Sequence, residues 1–362
     1  MMTPMHYILP ILGVMYEEYG KATSISNIAD QWTGPKSNPL YKTPVPDEYC
    51  KPDSSMHSQD RRANASIVVL VRNSELWEIM SSMKQLEDRF NRKFRYPYVF
   101  LNDEPFTQSL KHHIRALTSA TVEFGLIPSD HWRQASWIDE ERASKSRDDM
   151  VRNDVIYGGR YRNMCRFNSG FFYQHELLQK YRYYWRVEPD IQLFCDVDCD
   201  PFLMMQDQKV YGFTIAISEI PATIPTLWNV VKSFIGANPD LVTPGNAMEF
   251  LSDDGGESYS LCHFWSNFEI ADLDFWRSEA YSKSLDEKGG FYYERWGDAP
   301  VHSIGAALFA KKERIHFFND IGYQHDYFEH CPQGDVHTKG KCWCNPDKSV
   351  YSCLYQYDKL LL

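Results

Sequence analysis

The feature that most constrains this chain is an alternation of short β-branched runs with amphipathic helical segments. Ser66-Ile-Val-Val-Leu-Val71 reads as a buried strand. Arg72-Asn73-Ser74 follows, with Ser74 in place to cap a helix. In that helix Leu76, Ile79, Met80, Met83, Leu86 and Phe90 recur at three- and four-residue spacing, with charges between them. Tyr96-Pro-Tyr-Val-Phe-Leu101 reads as a second strand, a helical stretch starts near Thr107, and residues 121–126 read as a third strand. The rhythm predicts an α/β fold, a parallel sheet covered by helices. Ligands of such sheets bind beyond the carboxyl ends of the strands, so the loops at Arg72 and Asn102 point toward a site. No Gly-x-Gly-x-x-Gly and no Walker motif occurs, which weakens the dinucleotide and P-loop readings.

The first 60 residues differ. Seven of the 19 prolines fall between Pro4 and Pro52, and residues 37–58 are rich in Pro, Lys, Asp and Ser. Proline removes backbone donors and restricts its neighbour, so residues 1–60 are expected to form an irregular stem and 61–362 one folded domain. His6-Tyr-Ile-Leu-Pro-Ile-Leu-Gly-Val-Met-Tyr16 is apolar but only eleven residues long, and it lacks the basic flank of a signal peptide. Two readings stand: an untargeted chain, or one whose membrane anchor lies upstream. No run of 18 apolar residues occurs in the 362 given. The formal net charge is −11, which excludes the clustered basic charge that a nucleic-acid partner needs.

Nine cysteines spread along the chain suit disulfides in an oxidising lumen. Cys342-x-Cys344 with His337 suggests zinc, but no second cysteine pair completes a tetrahedral site. Asn64-Ala-Ser66 is the sole glycosylation sequon, and it abuts the first strand. The polar stretch 139–154 reads as a solvated helix.

The chemistry falls to carboxylates. Residues 183–187 read as a strand that Pro189 ends near Glu188. Glu188 and Asp190 then sit two residues apart at a strand's carboxyl end, which suits a hard divalent cation on a diphosphate. The alternative is a solvated strand end. Asp196, Asp198 and Asp200 share that spacing but read better as turn acids before Pro201. Glu269 lies among aromatics, a candidate nucleophile or base. Ser266-x-x-Glu269 equally matches a capping box at a helix start. Asp298 is either a hydroxyl ligand or the N-cap of a helix through residues 303–309, with Pro300 in its first turn. His325 is a metal ligand or a structural histidine. Trp265, Trp296 and Tyr293 can stack on sugar faces or fill the core.

Five blocks occur in order: Met164-Cys-Arg-Phe-Asn-Ser-Gly-Phe-Phe172, Tyr184-Trp-Arg-Val-Glu-Pro-Asp190, His263 to Asp274, Tyr293-Glu-Arg-Trp-Gly-Asp-Ala-Pro-Val-His302, and His316-Phe-Phe-Asn-Asp-Ile-Gly-Tyr323. Together they closely resemble the fungal α-1,2-mannosyltransferases of glycosyltransferase family 15, from about Ser66 to Cys344. The resemblance implies a glycosyltransferase A-type fold with a mixed central sheet flanked by helices in one catalytic domain. It implies GDP-mannose as donor, Mn2+ as cofactor, a mannosylated glycoprotein or oligosaccharide as acceptor, and transfer with retention. It also implies a Golgi type II membrane protein; the family's N-terminal anchor is missing from this sequence. Residue by residue, Glu188 and His325 would hold the metal, and Arg72, Arg166 and Asp190 the nucleotide or its diphosphate. Glu269 would be the nucleophile, with Tyr161 beside the reacting carbon. Asp298 would serve the acceptor, as would Trp265 and Trp296. A glycoside hydrolase using Glu269 and Asp298 as its acid pair is the competing enzyme reading, and a non-catalytic mannan-binding protein the third.

Overall fold

Alternating burial along the first apolar run organises everything behind it. In β1 (Ala65–Leu70) the pleat sends Ile67 and Val69 into one core and Val68 into another. The computed structural model describes residues 62–152, 159–283 and 289–362. The expected stem over 1–60, with its apolar start and Cys50, lies outside the described residues.

Helix α1 (Leu76–Leu86) buries Ile79, Ser82, Met83 and Leu86 against the sheet. Ser74 does not cap it. Asn73–Glu75 form a separate 3-10 turn, and the Arg72 N–H donates to Glu75 Oε2 at 2.8 Å. β2 (Tyr98–Asn102) is buried throughout, and α2 (Gln108–Leu117) starts on a Thr107 cap whose hydroxyl accepts from the Leu110 N–H at 3.2 Å. β3 (Val122–Leu126) follows, then the solvated helix α3 (Glu140–Arg152) as expected. Helix α4 (Gly159–Gly170) returns to the sheet, and β4 (Tyr183–Arg186) ends two residues before Glu188. β5 (Gln192–Leu193), β6 (Tyr211–Phe213), β7 (Ala216–Ser218), β8 (Cys262–Phe264) and β9 (Glu269–Asp272) come next. Helix α5 (Asp298–Phe309), β10 (Ile315–Phe317), β11 (Tyr323–His325) and β12 (Phe328–His330) complete the set used below.

The main sheet has the order β10-β6-β9-β4-β1-β2-β3. β1, β2, β3 and β4 run parallel, as the rhythm predicts. β9 is the exception: it enters antiparallel between β4 and β6, so the sheet is mixed, as the family resemblance implies. This corrects the capping box. Glu269 opens a strand, because hydrogen bonding to β4 and packing outweigh the local Ser266-x-x-Glu269 pattern. β5, β11 and β12 form a small antiparallel sheet beside Glu188, and β7 pairs with β8.

Among the described residues the cysteines pair as Cys195–Cys342, Cys262–Cys353 and Cys331–Cys344, Cys199 is also disulfide-bonded, and Cys165 is free and buried. Cys331, His337 and Cys344 lie close enough to ligate an ion, but both sulfurs are already bonded to each other. Asp200 caps the helix Pro201–Gln206, and Asp196 pairs with Arg89 and Lys341, so these acids are structural. In the sequon, Ser66 is fully buried in β1 and the Asn64 amide donates to the Lys180 carbonyl. Cys195–Cys342 closes a separation of 147 residues. Replacing both cysteines by Ser should lower the unfolding free energy by about 2–5 kcal/mol in denaturant titration. An unchanged midpoint would show that this staple contributes nothing.

Candidate active site

Antiparallel register sets the site. Arg186 of β4 stands opposite Glu269 of β9, and Tyr184 opposite Ala271, so all four side chains share one sheet face. Tyr211 of β6, also opposite Ala271, joins them. Helices α4 and α5 cover that face.

Glu269 is 1% exposed. Its carboxylate accepts from the Tyr184 hydroxyl at 2.6 Å and meets His302 Nδ1 at 2.8 Å. The Tyr184 oxygen accepts in turn from Trp276 Nε1 at 2.9 Å. His302 Nε2 faces the Asn168 carbonyl at 3.0 Å. Both imidazole nitrogens therefore meet acceptors, which only the doubly protonated ring satisfies. Burial pulls His302 down, but the Glu269 charge and hydrogen bond, with Asp298 beyond, carry it above its ordinary value. Trp276 stacks on the ring, centroids 4.5 Å apart.

Arg186 is the second anchor. Its Nε donates to Glu188 Oε1 at 2.6 Å and one terminal nitrogen donates to Asp298 Oδ2 at 2.5 Å. Asp298 also accepts from Ser266 Oγ at 2.9 Å. Burial alone would raise Asp298; the charges of Arg186 and His302 instead hold it down at about 2. The N-cap reading is corrected in detail. Gly297 occupies that position, and Asp298 is the first helical residue with its carboxylate turned to Arg186. Pro300 lies in the first turn as expected. Tyr161 borders the same cluster: burial pushes its phenol well above the ordinary range, Asp298 and Glu219 act on it, and the Arg295 guanidinium lies 4.5 Å over its ring.

At the carboxyl end of β4, Glu188 faces the small sheet. The Tyr323 hydroxyl, raised by burial and then by the Glu188 charge, donates to the Asn267 carbonyl at 3.0 Å. The Asn267 amide meets His325 Nδ1 at 3.1 Å. Asp190 turns in the left-handed region, φ 60°, after Pro189. Burial, then the Glu78 charge, raise its carboxyl, and His325 opposes them. Glu78 Oε2 is a buried oxygen with no partner. Asp190 lies within electrostatic reach of both Glu78 and His325, and oxygens with an imidazole are the donor types a divalent cation such as Mn2+ takes, but among the described residues these atoms do not converge within 4.8 Å as a three-ligand set.

Other expected residues stand apart. Arg72, at the carboxyl end of β1, pairs with Glu75 and is partly exposed. Trp265 is partly buried beside His325, ring centroids 5.6 Å apart. Arg166 is buried: it donates to the Arg133 carbonyl at 3.2 Å and lies over Phe171, which ties α4 to the turn before α3. Trp296 is corrected too. It is 1% exposed, donates to Glu294, and covers Gly290 so closely that a Cβ there would meet the indole at 2.1 Å; no sugar reaches its face. Tyr293 is likewise occupied, under the Arg142 guanidinium. Arg186, His302, Tyr184 and Asn168 were not singled out from sequence, although all lie inside the quoted blocks, and Ser266 was read only as half of a capping box.

The sequence model described as glycolipid 2-alpha-mannosyltransferase matches residues 18–360. The chain belongs to this family. It is 53% identical over 313 residues to alpha-1,2 mannosyltransferase KTR1 of Saccharomyces cerevisiae, covering 83% of this chain and 80% of that protein. It is 52% identical over 307 residues to glycolipid 2-alpha-mannosyltransferase 2 of Candida albicans, covering 82% and 67%. Among solved structures it resembles core-mannan synthase A (CmsA/Ktr4) of Aspergillus fumigatus in an Mn/GDP form, at TM-score 0.78 and 42% identity over 90% of this chain and 91% of that one. The mannosyltransferase Ktr4p of S. cerevisiae in complex with GDP matches at TM-score 0.80 and 38% identity, covering 97% and 96%. By its family the chain is an α-1,2-mannosyltransferase.

The raised His302 value gives a signed pH dependence. Its pairing with Glu269 contributes fully below the unfolded value of about 6.5 and is lost as pH rises through the higher folded value. Urea denaturation should show wild type exceeding His302→Gln by about 3–5 kcal/mol at mildly acid pH, with the margin shrinking toward alkaline pH. A margin independent of pH would mean that His302 is neutral.

Proposed function

We propose that this enzyme moves mannose from GDP-mannose to the 2-hydroxyl of an α-mannoside, with retention of configuration, in elongation of protein-linked mannose chains. The observation that supports it best is Arg186, which joins Glu188 at the cation end to Asp298 at the sugar end, opposite Glu269. Glu188 and His325 would hold Mn2+, whose charge stabilises the departing diphosphate. Arg72, at the carboxyl end of β1, would face the nucleotide or its diphosphate, and Asp190 would line the same pocket. Glu269, held by Tyr184 and His302, would stand under the reacting sugar carbon with Tyr161 nearby. Asp298 would accept hydrogen bonds from acceptor hydroxyls, with Trp265 at the rim. Retention follows either from a covalent glycosyl bond to Glu269 or from a front-face route, in which the leaving phosphate takes the acceptor's proton and Glu269 stabilises the developing positive charge.

Asp298 does not suit the acid role in the hydrolase reading. Such enzymes need one carboxyl kept protonated, and Asp298 is held at about 2 by Arg186 and His302. A merely mannan-binding protein would need no divalent cation and no nucleotide. The disulfides support an oxidising compartment of the secretory pathway, and we place the enzyme in the Golgi lumen, attached through a type II anchor. Among the described residues no helix is long and apolar enough to cross a membrane.

Calorimetry with GDP tests the reading. Binding should require Mn2+ and vanish with chelator. Glu188→Gln, which keeps an acceptor for Arg186, should weaken that binding by about tenfold or more. GDP binding indifferent to Mn2+ in the wild type would overturn the reading. Glu269→Gln should keep GDP binding and lose about a hundredfold or more in turnover. Normal turnover would make Glu269 structural.

A further inference from the structure

One hydroxyl in the central sheet has no use in the folded molecule. Ser66 lies in β1, between β2 and β4, and is fully buried. Its Oγ makes no hydrogen bond. Burying an unpaired hydroxyl is unfavourable, and every other residue of β1 is apolar. The same hydroxyl stands at the third position of Asn64-Ala65-Ser66, where an N-glycosylation sequon requires one. That use comes before folding, while the segment is still extended and accessible.

The first position of the sequon has the opposite environment. Asn64 is exposed, next to the amino end of β1. Its amide donates to the Lys180 carbonyl at 2.8 Å, and a glycosylated amide keeps one N–H for such a bond. Asn64 also lines an open groove of about 420 Å³ with Arg95, Thr121, Glu123 and Tyr181. A first sugar attached at Asn64 has room there beside polar side chains. The groove lies at the end of the sheet opposite Arg72 and Glu188, so a glycan leaves the candidate active site open.

We propose that Asn64 carries an N-linked glycan and that the Ser66 hydroxyl serves its attachment. The donor is an oligosaccharide on a lipid pyrophosphate, and the catalyst is the membrane-bound oligosaccharide transferase of the secretory pathway. Asn64 Nδ2 forms a bond to C1 of the first sugar, the bond from C1 to the pyrophosphate oxygen breaks, the lipid pyrophosphate leaves, and one amide proton is released. The inference goes beyond mannosyl transfer and rests only on the secretory-pathway placement.

The full chain, fused to a cleavable signal peptide and secreted from a yeast, tests it by peptide mass spectrometry. The peptide that holds Asn64 should carry N-acetylhexosamine and hexose, and peptide N-glycosidase should remove them and leave an aspartate. Asn64→Gln and Ser66→Ala should each lose the whole glycan. Deglycosylated wild type and Ser66→Ala should melt within about 2 °C of each other, because the hydroxyl holds nothing in the fold. An unmodified Asn64 in secreted protein whose disulfides have formed would overturn the proposal. A larger drop in the Ser66→Ala midpoint would show a structural hydroxyl and overturn the role given to Ser66. Secreted protein without its disulfides would instead overturn the compartment reading on which the site rests.

Discussion

A guanidinium buried in the central sheet holds this site together. Removing an arginine from water is costly, and it persists only where carboxylates of good geometry surround it. Arg186 meets that condition with Glu188 on one side and Asp298 on the other, and the Glu269 charge faces it across the ladder. His302 adds a second cation. The cluster sets Arg186 and His302 against the carboxyl groups of Glu188, Asp298 and Glu269. In the function we propose, this one ion-pair network links the leaving-group end at Glu188 to the sugar end at Asp298.

That network needs β9 where it is. An antiparallel strand between β4 and β6 puts Glu269 opposite Arg186 and on the face covered by α4 and α5. Shifting β9 by one residue would send Glu269 into the opposite core. The hydrogen bonds from Tyr184 and the His302 link to α4 work against that slip. The disulfide-linked segment after β10 has a parallel task. It carries β11, whose Tyr323 lies within electrostatic reach of Glu188 and, with His325, bonds to Asn267.

Local signals were legible in the sequence where short-range physics dominates. The β-branched run at Ser66, the spacing from Leu76 to Leu86, the Thr107 start and the strand ended before Pro189 all follow from side-chain period and backbone chemistry. Long-range pairing was not legible. Ser266-x-x-Glu269 is a sound local capping pattern that strand pairing with β4 overrides. Arg186 gave no signal of its own, because Asp298 and Glu269, two of its three carboxylate neighbours, come from distant segments. His302 did carry a usable signal. The helix Asp298–Phe309 is apolar on every face, so a histidine inside it must be buried and partnered. Trp296 failed for the opposite reason: an aromatic among glycines looked like a sugar platform, but the glycines are there to let the indole in. The family blocks carried the site further than spacing alone, because they name residues whose partners lie a hundred positions away.

The central claim is that one charged cluster transfers an α-mannosyl unit from a nucleotide to a mannoside. Nuclear magnetic resonance of the product from GDP-mannose, methyl α-mannoside and Mn2+ tests it most directly. The account predicts a new α-1,2-linked disaccharide, formed only with the metal present. A β-linked product, or free mannose released from a mannoside without any nucleotide, would contradict it.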